Sequence, residues 1–238
     1  MDGPWELEAE NWVRWARTPA HDAYWDYAPI FFDEMVPAAG RRTLELGCGE
    51  GRVVRDLTTR GHRVVGLDSS PTLLGHAREA DPSGRYVLAD AARVPFAGDA
   101  FDLVVAYNSL MNIEDMEAAV REAARVLETS GRLCVCVTHP VNDAGVFASR
   151  EPDASFVIDG SYLGKRPFEG TFERDTLEIT FRGWAYPLEA YGRALEEAGF
   201  VIEAMREPPA TAAAAEREPS ERRWQRLPMF LFLRAIKR

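Results

Sequence analysis

Cysteine is scarce in this chain: Cys48, Cys134 and Cys136 are the only three among 238 residues. An odd, sparse set without a secretory pattern argues against a disulfide framework and for a reducing compartment. No stretch reaches the ~18 apolar residues that a membrane span needs. The opening Met1-Asp2-Gly3-Pro4-Trp5-Glu6 has neither the basic start nor the apolar run of a secretory signal. These absences describe a cytoplasmic protein with no membrane partner. Positive charge is also short, with 28 Lys and Arg against 38 Asp and Glu and a net charge of −10. Binding nucleic acid requires clustered cations to neutralise phosphates, so that partner class is not expected. The brief clusters Arg222, Arg223, Arg226 and Arg234, Lys237, Arg238 read as solvated surface.

What is present is a globular composition, 46% hydrophobic and 28% charged. The length fits one α/β domain with an insertion. Residues 1–40 carry Trp5, Trp12, Trp15, Tyr24, Trp25, Tyr27, Phe31 and Phe32. Their helical spacing predicts two helices joined near Thr18-Pro19. Strand and helix signals then alternate. Strands are expected over 42–46, 63–68, 85–89, 101–107 and 133–138, with helices over 51–60, from Ser70-Pro71 onward, and over 114–128. Residues 139–183 show little periodicity and read as an insertion or lid. A helix opens at Pro187 and is ended by Gly199, a strand follows over 200–205, residues 207–223 read as a loop, and a final strand covers 227–236. The expected fold is α/β: a Rossmann-like, seven-stranded, mostly parallel sheet with an antiparallel last strand and helices on both faces. Four parts follow: a helical lid segment (1–40), a core (41–138), a substrate-side insertion (139–183), and the rest of the core sheet (184–238).

The chemical signal is the run Leu44-Glu45-Leu46-Gly47-Cys48-Gly49-Glu50-Gly51. Glycines in a strand-to-helix turn permit positive φ and let a ligand lie against bare backbone. The spacing is not that of a dinucleotide fingerprint. The third glycine comes one position early, and Arg52 stands where the last would be. Glu45, inside the strand, would sit awkwardly beside a pyrophosphate but suits a cofactor with a cationic amino group, such as S-adenosylmethionine.

These residues resemble the class I S-adenosylmethionine-dependent methyltransferases, in particular the small-molecule, methyltransferase type 11-like kind. Gly66-Leu67-Asp68-Ser69-Ser70, Ala89-Asp90-Ala91 with Val94-Pro95-Phe96, Phe101 to Val105, and Arg125-Val126-Leu127 with Ser130 to Leu133 carry the likeness further. It covers residues 40–138 well and 184–236 loosely. The resemblance implies that Gly47, Cys48 and Gly49 pass under the methionine part and ribose. Asp68 would accept both ribose hydroxyls, Ser69 would border the adenine and Leu73 would pack on it. Asp90 would accept from the adenine amine, with Ala91 alongside, and Asn108 would stand where cofactor meets substrate. Each has a plainer alternative: a paired structural acid for Glu45, a helix cap for Asp68, a turn residue for Asp90, small size for Cys48. Cys134 and Cys136 share a strand face, and no further metal ligands accompany them.

Methyl transfer is an in-line displacement from an activated carbon, so a base is needed only when the acceptor must lose a proton. His139 follows a strand end on the ligand-binding edge and is the expected base or orienting group; a hydrogen-bonded loop histidine is the alternative. His21 is a weaker candidate. Arg17 is expected to meet the cofactor carboxylate if the N-terminal helix closes over the site. The expected partner is a small-molecule acceptor of O, N or C type, with the protein a monomer or homodimer. Rival readings are a NAD-binding Rossmann oxidoreductase and a non-catalytic module that binds the same cofactor for regulation.

Overall fold

The computed structural model describes residues 3–19 and 21–238; Met1 and Asp2, used above to judge the N-terminus, lie outside them. Short α1 (Pro4–Leu7), α2 (Ala9–Arg17) and α3 (Tyr24–Glu34) precede the sheet. The core alternates β1 (Arg42–Leu46), α4 (Arg52–Thr59), β2 (Arg63–Asp68), α5 (Pro71–Ala80), β3 (Arg85–Leu88), β4 (Phe101–Tyr107), α6 (Met116–Val126) and β5 (Leu127–Thr138). Strands β6 (Gly145–Phe147), β7 (Phe156–Ile158), β8 (Arg166–Arg174) and β9 (Leu177–Ala185) follow, then α7 (Leu188–Glu197), β10 (Phe200–Arg206), α8 (Ala212–Arg217) and β11 (Phe230–Lys237).

The seven core strands run β10-β11-β5-β4-β1-β2-β3. All are parallel except β11, which pairs antiparallel with both β10 and β5. The seven expected strands are therefore the seven observed ones. Their apolar runs are continuous because both faces are covered. Leu103, Val105, Tyr107, Cys134 and Cys136 point to the face packed by α3, α4 and α5. Val104, Ala106, Leu133, Val135 and Val137 point to the face packed by α6 and α7. The cysteines are free and buried, and no metal-binding group exists among the described residues. Pro29 sits inside α3 and cannot bond the carbonyl of Trp25, a residue 48% exposed, so water can satisfy that group.

Two segments differ from expectation. Residues 139–183 hold two antiparallel hairpins, β6–β7 and β8–β9. The second turns through Asp175 and Thr176 with φ of 48° and 66°. Two consecutive left-handed residues make a tight hairpin turn that is normally announced by Asn-Gly or Asp-Gly, and Asp-Thr does not announce it. Residues 207–223, read as a loop, instead contain α8. Thr211 caps it by accepting from the Ala214 amide at 3.0 Å.

Candidate active site

The chain leaves β1 through a turn pinned at three points. The amides of Gly47 and Cys48 both donate to the Leu67 carbonyl at 2.8 and 2.9 Å, and the Gly49 amide donates to Asp68 Oδ2 at 2.7 Å. The other Asp68 oxygen accepts from the Ser70 amide at 2.9 Å. Gly47 has φ of +72°, and a Cβ there would fall 2.5 Å from the Cβ of Ser109. The turn thus lies directly under the loop that leaves β4. The helix-cap alternative for Asp68 passes to Ser70, whose hydroxyl accepts from the Leu73 amide at 3.0 Å. Burial pushes the Asp68 carboxyl up, and the Ser70, Gly49 and Ser69 amides pull against it. A carboxylate offers about four acceptor sites, so room for a further donor remains.

Beside the turn lies a group of buried polar atoms. Glu45 is 1% exposed, and its Oε2 has no hydrogen-bond partner among the described residues. Burial, followed by the nearby charge of Asp68, raises its carboxyl well above the ordinary value, while Arg52 opposes the rise. The Arg52 guanidinium stacks 3.9 Å from the Tyr24 ring centroid and 5.0 Å from that of Trp12. Its Nη1 sits 2.7 Å from Asp22 Oδ2 as an ion pair. The Tyr107 hydroxyl and Ser109 Oγ are also buried without partners. Buried polar side chains are nearly always satisfied, so this set points to a ligand. An anionic acceptor, a cationic donor and a carboxylate at the second strand end fit the amino, carboxylate and ribose groups of S-adenosylmethionine.

The other expected residues fall as follows. Cys48 is buried against Gly66, where small size is required. Ser69 is exposed at the rim. Leu73 is buried, but with Ala9, Val13 and Trp12 around it, so α2 covers its face. Asp90 is exposed and accepts from the Ala92 amide at 2.8 Å, a turn contact, and Ala91 is buried behind it. Asn108 adopts φ of +51°, and its amide donates to the Cys136 carbonyl at 2.8 Å.

Arg17 is paired with a carboxylate of the glycine turn itself. It donates to the buried Glu50 carboxylate at 3.1 Å and to the His76 carbonyl at 3.0 Å. His139 likewise has no open nitrogen. Its Nδ1 accepts from the Val141 amide at 3.1 Å, which places the proton on Nε2, 2.8 Å from Glu207. A ring held this way positions a loop and leaves no lone pair for a substrate. His21 pairs with Asp175 at 3.1 Å, at the hairpin tip. Sequence reasoning missed Arg52, Asp22, Tyr107 and Ser109. Arg52 had a signal, since it takes the place of the missing glycine.

The N-terminal segment packs against the glycine turn and the start of α5. The Glu6 carboxylate accepts from the hydroxyls of Ser70 and Thr72, and Trp12 Nε1 lies 3.4 Å from where a Gly49 Cβ would stand. Trp5, Trp12, Trp15 and Phe172 pack around Phe181 of the β8–β9 hairpin with centroids 5.5–6.4 Å from its ring. These aromatics fill the space between α1–α2 and the hairpin. An open cleft of about 550 Å³ lined by Phe32, Pro37, Arg60 and His62 lies at the opposite strand edge, away from the glycine turn.

A family model described as a methyltransferase domain matches residues 44–135. A solved S-adenosylmethionine-dependent methyltransferase from Mesorhizobium loti superposes with a TM-score of 0.75 at 27% identity, covering 91% of this chain and 98% of that one. Residues 44–135 thus match a methyltransferase domain, and the chain as a whole shares the fold of a solved S-adenosylmethionine-dependent methyltransferase. An uncharacterized methyltransferase of Mycobacterium tuberculosis is 36% identical over 107 residues, 45% of this chain and 44% of the relative. A demethylmenaquinone methyltransferase of Mycobacterium marinum is 38% identical over 117 residues, 48% of each chain. The matches therefore span about half the length of these curated relatives. Along this chain the match to the methyltransferase-domain model begins in β1 and ends in β5. It encloses Glu45, Arg52, Asp68 and Asn108, and leaves the lid, His139 and both hairpins outside.

Proposed function

We propose that the protein transfers a methyl group from S-adenosylmethionine to a small molecule. The observation that carries this reading is the buried, unpartnered Glu45 oxygen beside a glycine turn clasped by Asp68. Glu45 would accept from the cofactor ammonium. Arg52, in the role expected of Arg17, would pair with its carboxylate, and Asp68 would accept from the ribose hydroxyls with its remaining lone pairs. When bound, the cofactor supplies an activated methyl group on a sulfonium. The chain's own part is then to orient the acceptor and keep water out. The Trp5, Trp12 and Phe181 lid supports that second role. The demethylmenaquinone relative supports a small-molecule acceptor.

Isothermal titration of the full chain with S-adenosylhomocysteine and with NAD tests the reading. Binding of the first and not the second is expected. NAD binding alone would favour the oxidoreductase and defeat the proposal.

A further inference from the structure

A free acceptor lies at the other end of β1 from the glycine turn, in the open cleft of about 550 Å³. Helices α3 and α4 both end beside it, and the loops that follow them meet. The Gly40 amide donates to the Gly61 carbonyl at 3.0 Å. A Cβ on Gly61, whose φ is +89°, would stand 3.2 Å from the Cβ of Ala39. This close contact fixes the next residue, His62, which is 5% exposed and lines the cleft with Phe32, Asp33, Val36, Pro37 and Arg60. The Arg60 guanidinium stands over the Phe32 ring, 4.8 Å from its centroid, and Nη1 donates to Asp33 at 2.8 Å. That bond uses one of the five N–H donors of a guanidinium.

The two ring nitrogens of His62 differ. Thr43 Oγ1 lies 3.5 Å from Nδ1, and its only hydrogen is directed to the Arg41 carbonyl at 3.3 Å. The hydroxyl oxygen therefore accepts from Nδ1–H, and the lone pair falls on Nε2. Among the described residues Nε2 has no hydrogen-bond partner, yet it is not one of the polar atoms sealed inside the protein. An accessible nitrogen on a ring that lines the cleft opens into it. Burial, opposed by Asp102 and assisted by Arg41 and Arg60, lowers the ring below the ordinary histidine value, so Nε2 keeps its lone pair at neutral pH. A ring this buried with an uncommitted lone pair facing a cavity is unusual for packing alone. We infer that the cleft is a second small-molecule site, and that its ligand is a hydroxyaryl carboxylate held by His62 and Arg60. The inference is independent of the methyltransferase reading, because the five residues of β1 separate this cleft from the glycine turn.

Each part of this ligand answers one part of the cleft. A lone pair on Nε2 selects an O–H or N–H donor over an ether or a carbonyl. A cationic ammonium donor is disfavoured, because Arg41 and Arg60 are the cations whose charge reaches His62. A neutral hydroxyl meets no such repulsion. The apolar side chains of Phe32, Val36 and Pro37 suit a ring, which gains by leaving water and by contact with an aromatic neighbour. Inorganic phosphate would leave that wall wet. The remaining N–H groups of Arg60 suit a carboxylate, whose planar pair of oxygens matches the guanidinium fork. The volume of about 550 Å³ falls within the range of small-molecule pockets, roughly 300–1,000 Å³.

The test uses the full chain with 15N-labelled histidine and long-range 1H–15N correlation spectra at pH 7.5, with His62 assigned by its loss in His62→Phe. The free protein should show His62 protonated on Nδ1. Titration with 3- or 4-hydroxybenzoate should move the Nε2 resonance and saturate. The matching methoxybenzoate, which keeps the ring and carboxylate but lacks the O–H, should bind at least ~10-fold more weakly. Arg60→Met, at an exposed position, should weaken the hydroxybenzoate about 10-fold and leave phenol binding unchanged. S-adenosylhomocysteine should not displace the hydroxybenzoate. The inference is overturned by a His62 proton on Nε2, by the lack of a saturable shift with either hydroxybenzoate, or by equal affinity for the methoxy analogue. Displacement by S-adenosylhomocysteine would place the ligand in the cofactor crevice and also overturn it. The analogue comparison is made on wild-type protein, so it holds even where His62→Phe does not fold. Failure to bind S-adenosylhomocysteine would defeat the methyltransferase reading alone.

Discussion

At the scale of single residues, the site is built from charges whose partners are incomplete. Glu45 illustrates the consequence. Its folded-state carboxyl is raised by burial and by Asp68, so its contribution to stability is present below the ordinary glutamate range and is lost as pH rises through the folded value. Glu45→Gln removes a buried charge without changing shape. The free variant should be more stable than wild type at pH 8 by about 1 kcal/mol, a Tm gain of roughly 2–4 °C by calorimetry. The same variant should bind S-adenosylhomocysteine more weakly, because the ammonium loses its anion. Arg52 makes a complementary prediction. Arg52→Met should weaken S-adenosylhomocysteine about 30-fold, equivalent to ~2 kcal/mol for a charge-assisted pair. Binding of 5′-methylthioadenosine, which lacks the carboxylate, should be unchanged. Equal losses for both ligands, read by titration calorimetry, would remove Arg52 from that role.

At the scale of elements, α2 buries Ala9, Val13, Trp15 and Ala16 but is tied to α5 by a small cluster. That cluster joins Ala9, Val13 and Trp12 to Leu73. A carboxylate latch on the first turn of α5 assists it. Burial pushes Glu6 up, but donors from Ser70 and Thr72 outweigh it and hold the carboxyl below its ordinary value. The latch is therefore in place above the ordinary glutamate value and is lost as pH falls through the lower folded one. Glu6→Ala should speed S-adenosylhomocysteine association and dissociation together in stopped-flow Trp fluorescence at pH 7, with Trp5 and Trp12 as reporters. At pH 3 the difference from wild type should shrink. The β8–β9 hairpin shows where element-level reading failed. Phe168, Gly170 and Phe172 face Gly183, Phe181 and Ile179 in register, a period of two that the glycines obscure, and the Asp175-Thr176 turn lacks the usual glycine.

At the scale of the molecule, a rigid sheet carries a cofactor edge at one end of β1, β2 and β4 and a covering layer made from the chain's least similar parts. The central strands β4, β1 and β5 are buried on both faces, whereas α2 bonds to the body mainly through side chains. Native-state hydrogen exchange should protect β4 and β5 amides to the global unfolding limit while α2 exchanges faster. Addition of S-adenosylhomocysteine should slow α2 exchange more than that of any core strand. Equal protection of α2 and β4 without ligand would contradict a movable lid.

The seven strands, their order of appearance and the glycine turn were all written in the sequence, because apolar runs, glycine positions and strand-end acids act over a few residues. The partners of the long side chains were not. Arg17 turned to Glu50, Arg52 took the crevice, and His139 spent both nitrogens on Val141 and Glu207. Apart from the local His139–Val141 bond, these partners lie 30 to 68 positions apart in the chain and become neighbours only when the sheet closes.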